Sequence, residues 1–150
     1  MSEKSCRQKF ETFWIFKRWT YVLTDDLKDI TIAYSFGIDG DIAFDMKIAD
    51  EGIDVYMYDP YIFKLSFPNF NTGSNNDFKN DINYIKNKLH FFKIGLTGSK
   101  HHLSNMKTLE EILRLNGHMS QKNMILKIDI EGAELEALKE VPEEILKKFK

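Results

Sequence analysis

Hydrophobic residues along this chain gather in short unbroken runs, and between the runs they recur every three or four positions. That alternation is the pattern of a parallel sheet covered by helices. Residues 30–36 (ITIAYSF) read as a first strand, 41–50 as a helix closed by Gly52, and 54–58 (DVYMY) as a second strand that stops at Asp59-Pro60, where proline ends the ladder. Residues 69–77 (NFNTGSNND) read as a loop, because Asn, Gly, Ser and Asp favour turns. Beyond it, Phe78, Ile82, Ile85 and Leu89 share one helical stripe, with Lys79, Asp81, Lys86 and Lys88 away from it. Residues 91–96 (FFKIGL) form the third predicted strand, followed by a loop over 97–105. Thr108 and Glu111 have the spacing of a capping box, Leu109, Ile112 and Leu113 supply the stripe of the helix it opens, and Gly117 marks the end. A fourth strand over 124–130 (MILKIDI) leads into EGAELEALKE, and Pro142 opens a short helix with Ile145, Leu146 and Phe149 inward.

The expected fold is therefore α/β: one sheet with helices on both faces that ends after its fourth strand, leaving an exposed edge open to self-association. Residues 1–150 read as a single, partial domain in which 1–28 form an aromatic N-terminal extension. There Phe10, Phe13 and Trp14 stand at helical spacing, as on a face packed against the sheet or another subunit. That is simpler than a base-stacking surface built from them with Trp19, Lys9, Lys17 and Arg18.

Composition narrows the classes of function. A chain of 150 residues with 43% hydrophobic content has enough apolar mass for one cored domain. A net charge of -2 lacks the broad basic surface that displaces counterions from phosphates, so no nucleic-acid partner is expected. The single cysteine, Cys6, shows no nucleophilic partner and forms no internal bridge, in keeping with a reducing, cytoplasmic setting. The aromatic run near the N-terminus is broken by Lys17 and Arg18 and is too short to span a bilayer, so no membrane partner is expected.

The chemistry concentrates in three stretches. In YSFGIDGD, Gly37 and Gly40 follow the first strand, where open α/β sheets cradle ligands. A pyrophosphate suits such a turn poorly here, because neither phosphate-binding glycine spacing is present. Asp39 and Asp41 would also repel it by several kcal/mol at about 4–6 Å. A phosphate-free cation fits better, and S-adenosylmethionine carries a sulfonium, an ammonium and a ribose. Asp59 stands about 20 residues on, where an acid accepts from ribose hydroxyls; it equally opens an Asp-Pro turn. In KIDIEGAE, strand alternation puts Lys127, Asp129 and Glu131 on one side, with the two carboxylates at the strand's carboxyl end. Capping of the next helix is the alternative duty for Asp129 or Glu131.

YSFGIDGDIAFD, VYMYDP, MKTLEEILRLNGH and LKIDIEGAELEAL together resemble the FkbM-type family of S-adenosylmethionine-dependent methyltransferases, from about residue 32 to residue 138. KIDIEGAE is the most specific of these blocks. The resemblance implies a Rossmann-like class I methyltransferase sheet and methyl transfer to an oxygen of a small molecule or glycan. The candidate cofactor contacts are Ser35, Gly37, Asp39, Gly40, Asp41, Asp59 and Pro60, and the candidate catalytic pair is Asp129 and Glu131. Ser35 departs from many methyltransferases, which place an acid two residues before the first glycine; holding the cofactor's ammonium then falls to Asp39 or Asp41. Burial is expected to raise the pKa of the catalytic carboxylate toward that of a general base. No metal is required, and His101 and His102 read as solvated loop residues. The competing reading is a truncated, non-catalytic cofactor-binding or self-associating remnant.

Overall fold

The computed structural model describes residues 10–16, 19–24, 27–67, 78–99 and 104–150, the first two segments as backbone only. β1 (Phe10–Phe16) and β2 (Trp19–Thr24) form an antiparallel ribbon in register from Phe10↔Thr24 to Phe16↔Trp19. The helical spacing expected of Phe10, Phe13 and Trp14 is thus corrected to a strand. Both segments, FETFWIF and WTYVLT, are rich in aromatic and β-branched residues that fit a pleated surface, and cross-strand pairing outweighs a three-residue spacing.

The main sheet has the order β5-β4-β3-β8, all parallel, built from β3 (Ile32–Phe36), β4 (Asp54–Tyr58), β5 (Leu89–Phe92) and β8 (Ile125–Ile128). The strand that comes first along the chain, β3, lies inside, the next two extend to one side, and the fourth returns to the other. α1 (Ala43–Asp50) connects β3 to β4, and α2 (Ile82–Asn87) precedes β5. Short strands β6 (Gly95–Leu96) and β7 (Met106–Lys107) pair with each other ahead of α3 (Leu109–Leu115), and α4 (Glu134–Leu138) and α5 (Glu143–Leu146) follow β8.

Side-chain alternation on the strands divides the core in two. Ala33, Val55 and Met57 pack with Met46, Ile48 and Ala49 of α1 and Ile85 of α2. Tyr34, Phe36 and Tyr58 pack on the other face with Leu109, Ile112 and Leu113 of α3, Ala137 of α4 and Ile145 of α5. Both faces of the sheet are covered by helices, as near-continuous apolar strands require.

Three boundaries differ from expectation. The third strand stops at Phe92, where Ile94 N–H turns back to the Phe92 carbonyl at 2.9 Å, and Gly95–Leu96 leave the sheet to pair with Met106–Lys107. Leu89 begins β5 rather than extending the α2 stripe, because Lys88 N–H already closes on Ile85 O. The fourth strand ends at Ile128; its neighbour Met124 bridges Phe149 in parallel. Leu146, expected inward, is exposed, while Ile145 is buried and Phe149 sets its ring edge-on to Tyr34. The loop expected over 69–77 lies outside the described residues. No helix among the described residues is long and apolar enough to cross a membrane.

Candidate functional site

The order β5-β4-β3-β8 reverses direction between β3 and β8, and ligands of open α/β sheets bind outside the strands' carboxyl ends at such a point. A cleft of about 570 Å³ opens there, within the range of nucleoside-sized ligands. Gly37, Asp39, Asp41, Asp59, Pro60, Asp129 and Glu131 all line it. Three stretches far apart in sequence thus meet on one rim.

The glycine turn is built by its own backbone. Asp41 N–H donates to Ile38 O at 2.9 Å, and Asp39 and Gly40 between them have φ of 42° and 77°, which is a turn of type I′. Asp41 then accepts from Ala43 N–H at 3.0 Å and so satisfies one free donor of α1. Gly37 has φ 75°, and a Cβ there would lie 1.7 Å from the carbonyl oxygen of Asp129. Its close approach is therefore to the β8 rim of the same protein. Gly40 sits exposed at the tip of the turn and does not line the cleft.

Asp59 ties this turn to the loop after β4. One carboxylate oxygen accepts from Ile38 N–H at 3.0 Å and Asp39 N–H at 3.2 Å, and the other from Tyr61 N–H at 2.8 Å and Ile62 N–H at 3.2 Å. Burial pushes its pKa up, but the four backbone donors together outweigh that and hold it below the ordinary carboxylate value. Four bonds engage the roughly four lone-pair sites a carboxylate has. The ribose duty expected of Asp59 thus gives way to a structural one: it shapes the cleft from beneath.

Ser35 is also corrected. It is fully buried beneath the turn and does not line the cleft. Its hydroxyl faces Asp45, a wholly buried carboxyl of α1, and although the two interact, neither makes a hydrogen bond of ordinary geometry. Burial drives the Asp45 pKa up, against the attraction of Lys127.

On the β8 side, Asp129 N–H continues the ladder to Phe36 O at 2.9 Å. Glu131 reaches the cleft through a turn with φ 56°, not by strand alternation, because the strand has already ended. Both carboxylates are exposed, so the burial expected to tune one as a base is not present. Neither caps α4, whose N-cap residue Ala133 has no side-chain cap bond; Glu134 reaches back into the preceding turn to accept from Ile130 N–H at 2.9 Å and Gly132 N–H at 3.3 Å, and its own N–H with theirs holds its pKa low.

Sequence reasoning placed Lys127 beside Asp129 but gave it no task. In the structure it lines the cleft and donates to Gly37 O at 2.7 Å. Its position two residues before Asp129 was the available signal. Lys47 and Phe44 of α1 and Tyr61, which is 84% exposed at the cleft mouth, carried no comparable mark. Among the described residues no group of three His, Cys, Asp or Glu is arranged to hold a metal; His101 and His102 lie outside them.

Comparison with protein families, with curated proteins and with solved structures finds no match to this chain.

Proposed function

We propose that the protein is an S-adenosylmethionine-dependent methyltransferase with a Rossmann-like sheet, acting in the cytoplasm on an oxygen of a small molecule or glycan. The observation that carries this reading is the cleft at the β3–β8 junction, where Asp39, Asp41, Asp129 and Glu131 surround a space of nucleoside size. Four carboxylates disfavour a phosphorylated cofactor and favour a cationic one. When bound, the donor would supply a methyl carbon activated by its sulfonium: the acceptor oxygen would bond to that carbon in line as its C–S bond breaks, and the neutral thioether S-adenosylhomocysteine would leave. The chain's part is chiefly to position. Asp59 and Lys127 hold the glycine turn in shape, and Asp129 or Glu131 takes the proton that the acceptor hydroxyl releases.

Titration calorimetry with S-adenosylmethionine and, separately, with NAD tests the cofactor assignment. Micromolar affinity for the first with none for the second is the expected result; the reverse would replace the reading with an oxidoreductase. Transfer of radiolabelled methyl to a panel of hydroxyl acceptors then tests the reaction, and D129A that binds the donor and turns over normally would remove Asp129 from it.

A second reading has its own observation. Apart from the Met124–Phe149 bridge, no strand among the described residues pairs with the outer edge of β8. An open edge is a template for another chain. On this reading the protein is a self-associating, non-catalytic binding module, and light scattering that shows oligomers together with no donor binding supports it.

A further inference from the structure

The cleft carries charges of opposite sign at different depths. Asp39, Asp41, Asp129 and Glu131 line it as exposed side chains. Lys127, the third residue of β8, lines it as a half-buried one, its ammonium against the Gly37 carbonyl at 2.7 Å. An ammonium has three donors, and this contact uses one. Among the described residues no carboxylate oxygen forms an ion pair with it. The carboxyl that feels its charge, Asp45, lies wholly buried beneath the turn, where burial opposes ionisation and so weakens it as a counter-ion. Lys47 also lines the cleft, but it is buried with its ammonium over the Phe78 ring at 4.2 Å. Lys127, a half-buried cation with spare donors beside four exposed carboxylates, matches a ligand that presents a carboxylate next to its own positive charge.

We propose that Lys127 is the carboxylate-binding residue of the cleft, so that the ligand is held by its amino-acid head, with the α-carboxylate on Lys127 and the ammonium toward the exposed carboxylates. This rests on the methyl-donor reading and deepens it, because it names which end of the donor meets which wall. An amino-acid zwitterion satisfies both signs of charge at once, whereas a simple cation leaves Lys127 opposed.

Decarboxylated S-adenosylmethionine keeps the nucleoside, sulfonium and ammonium and lacks only the carboxylate, so calorimetry with the two donors isolates the contact. The wild-type protein is expected to prefer the intact donor by about tenfold to a hundredfold, the usual worth of a charge-assisted hydrogen bond. K127M and K127Q are expected to bind both donors equally, at the affinity of the decarboxylated one; K127Q retains a donor for Gly37 and carries the test if K127M fails to fold. Equal binding of the two donors by the wild-type protein overturns the proposal and leaves the methyl-donor reading standing. Binding of neither removes both. Variants that lose affinity for both donors in equal proportion show Lys127 to be a support of the turn alone, which also overturns it.

Discussion

A methyl group added at position 37 would sit 1.7 Å from the Asp129 carbonyl at a φ of 75°, whereas at position 40 the φ is similar, 77°, and nothing lies within 4 Å. G40A should therefore cost about 1–2 kcal/mol, the conformational penalty alone. G37A should cost clearly more, because the β8 rim must also move, and urea unfolding of the two variants side by side measures the difference. Asp59 and Asp45 lead to opposite pH dependences. Asp59 titrates below 3.8 in the folded protein, so its contribution is present above that pH and is lost as pH falls through the folded value. Asp45 titrates above 3.8, so its ionisation opposes folding, and D45N should gain stability over wild type increasingly as pH rises beyond 3.8. At this scale the identity of Gly37, Asp59 and Asp129 as rim residues was legible from strand ends. Which partners they take was not, because Asp59's four donors come from two loops that only the folded chain brings together.

Helix α3 shows how an element is held at both ends. Thr108 accepts from Glu111 N–H at 3.3 Å while Glu111 accepts from Thr108 N–H at 2.8 Å, the capping box that the sequence announced. T108A should cost about 1 kcal/mol in chemical denaturation. At the far end Asn116 donates to the hydroxyls of Tyr34 at 2.9 Å and Tyr58 at 2.6 Å. The Tyr34 hydroxyl in turn shares a hydrogen bond of 2.7 Å with His118 Nδ1, its direction set by the imidazole tautomer. Burial pushes both phenols up, Tyr58 to about 12, and so keeps them as donors. Burial also lowers the His118 pKa below 6.5, with His90 adding to it and Asp54 opposing. The unfolded chain then takes the proton first, so this contribution is complete above 6.5 and is lost as pH falls through the folded value. H118Q should flatten that part of the stability profile. The helix itself was legible because cap and stripe are local. The split of 91–96 was not, since Gly95–Leu96 chose a partner eleven residues away.

For the molecule as a whole, a donor that binds only the folded state should stabilise it by about 2.7 kcal/mol at a hundredfold excess over its Kd. Thermal melts with and without S-adenosylmethionine read that shift, and its absence would count against the proposed function independently of any acceptor. The stabilisation should extend to both core layers, because the cleft lies where β3 and β8 join, and β3 contributes side chains to each.

The sequence by itself determined the α/β class, four parallel strand cores and the helices between them. Those follow from short apolar runs, periodic stripes and caps, all of which act over a few residues. Tertiary structure alone decided the order β5-β4-β3-β8 and the placing of Lys127 against Gly37. Each of these depends on pairing or charge between segments distant along the chain, and no local pattern encodes which distant segment will be met.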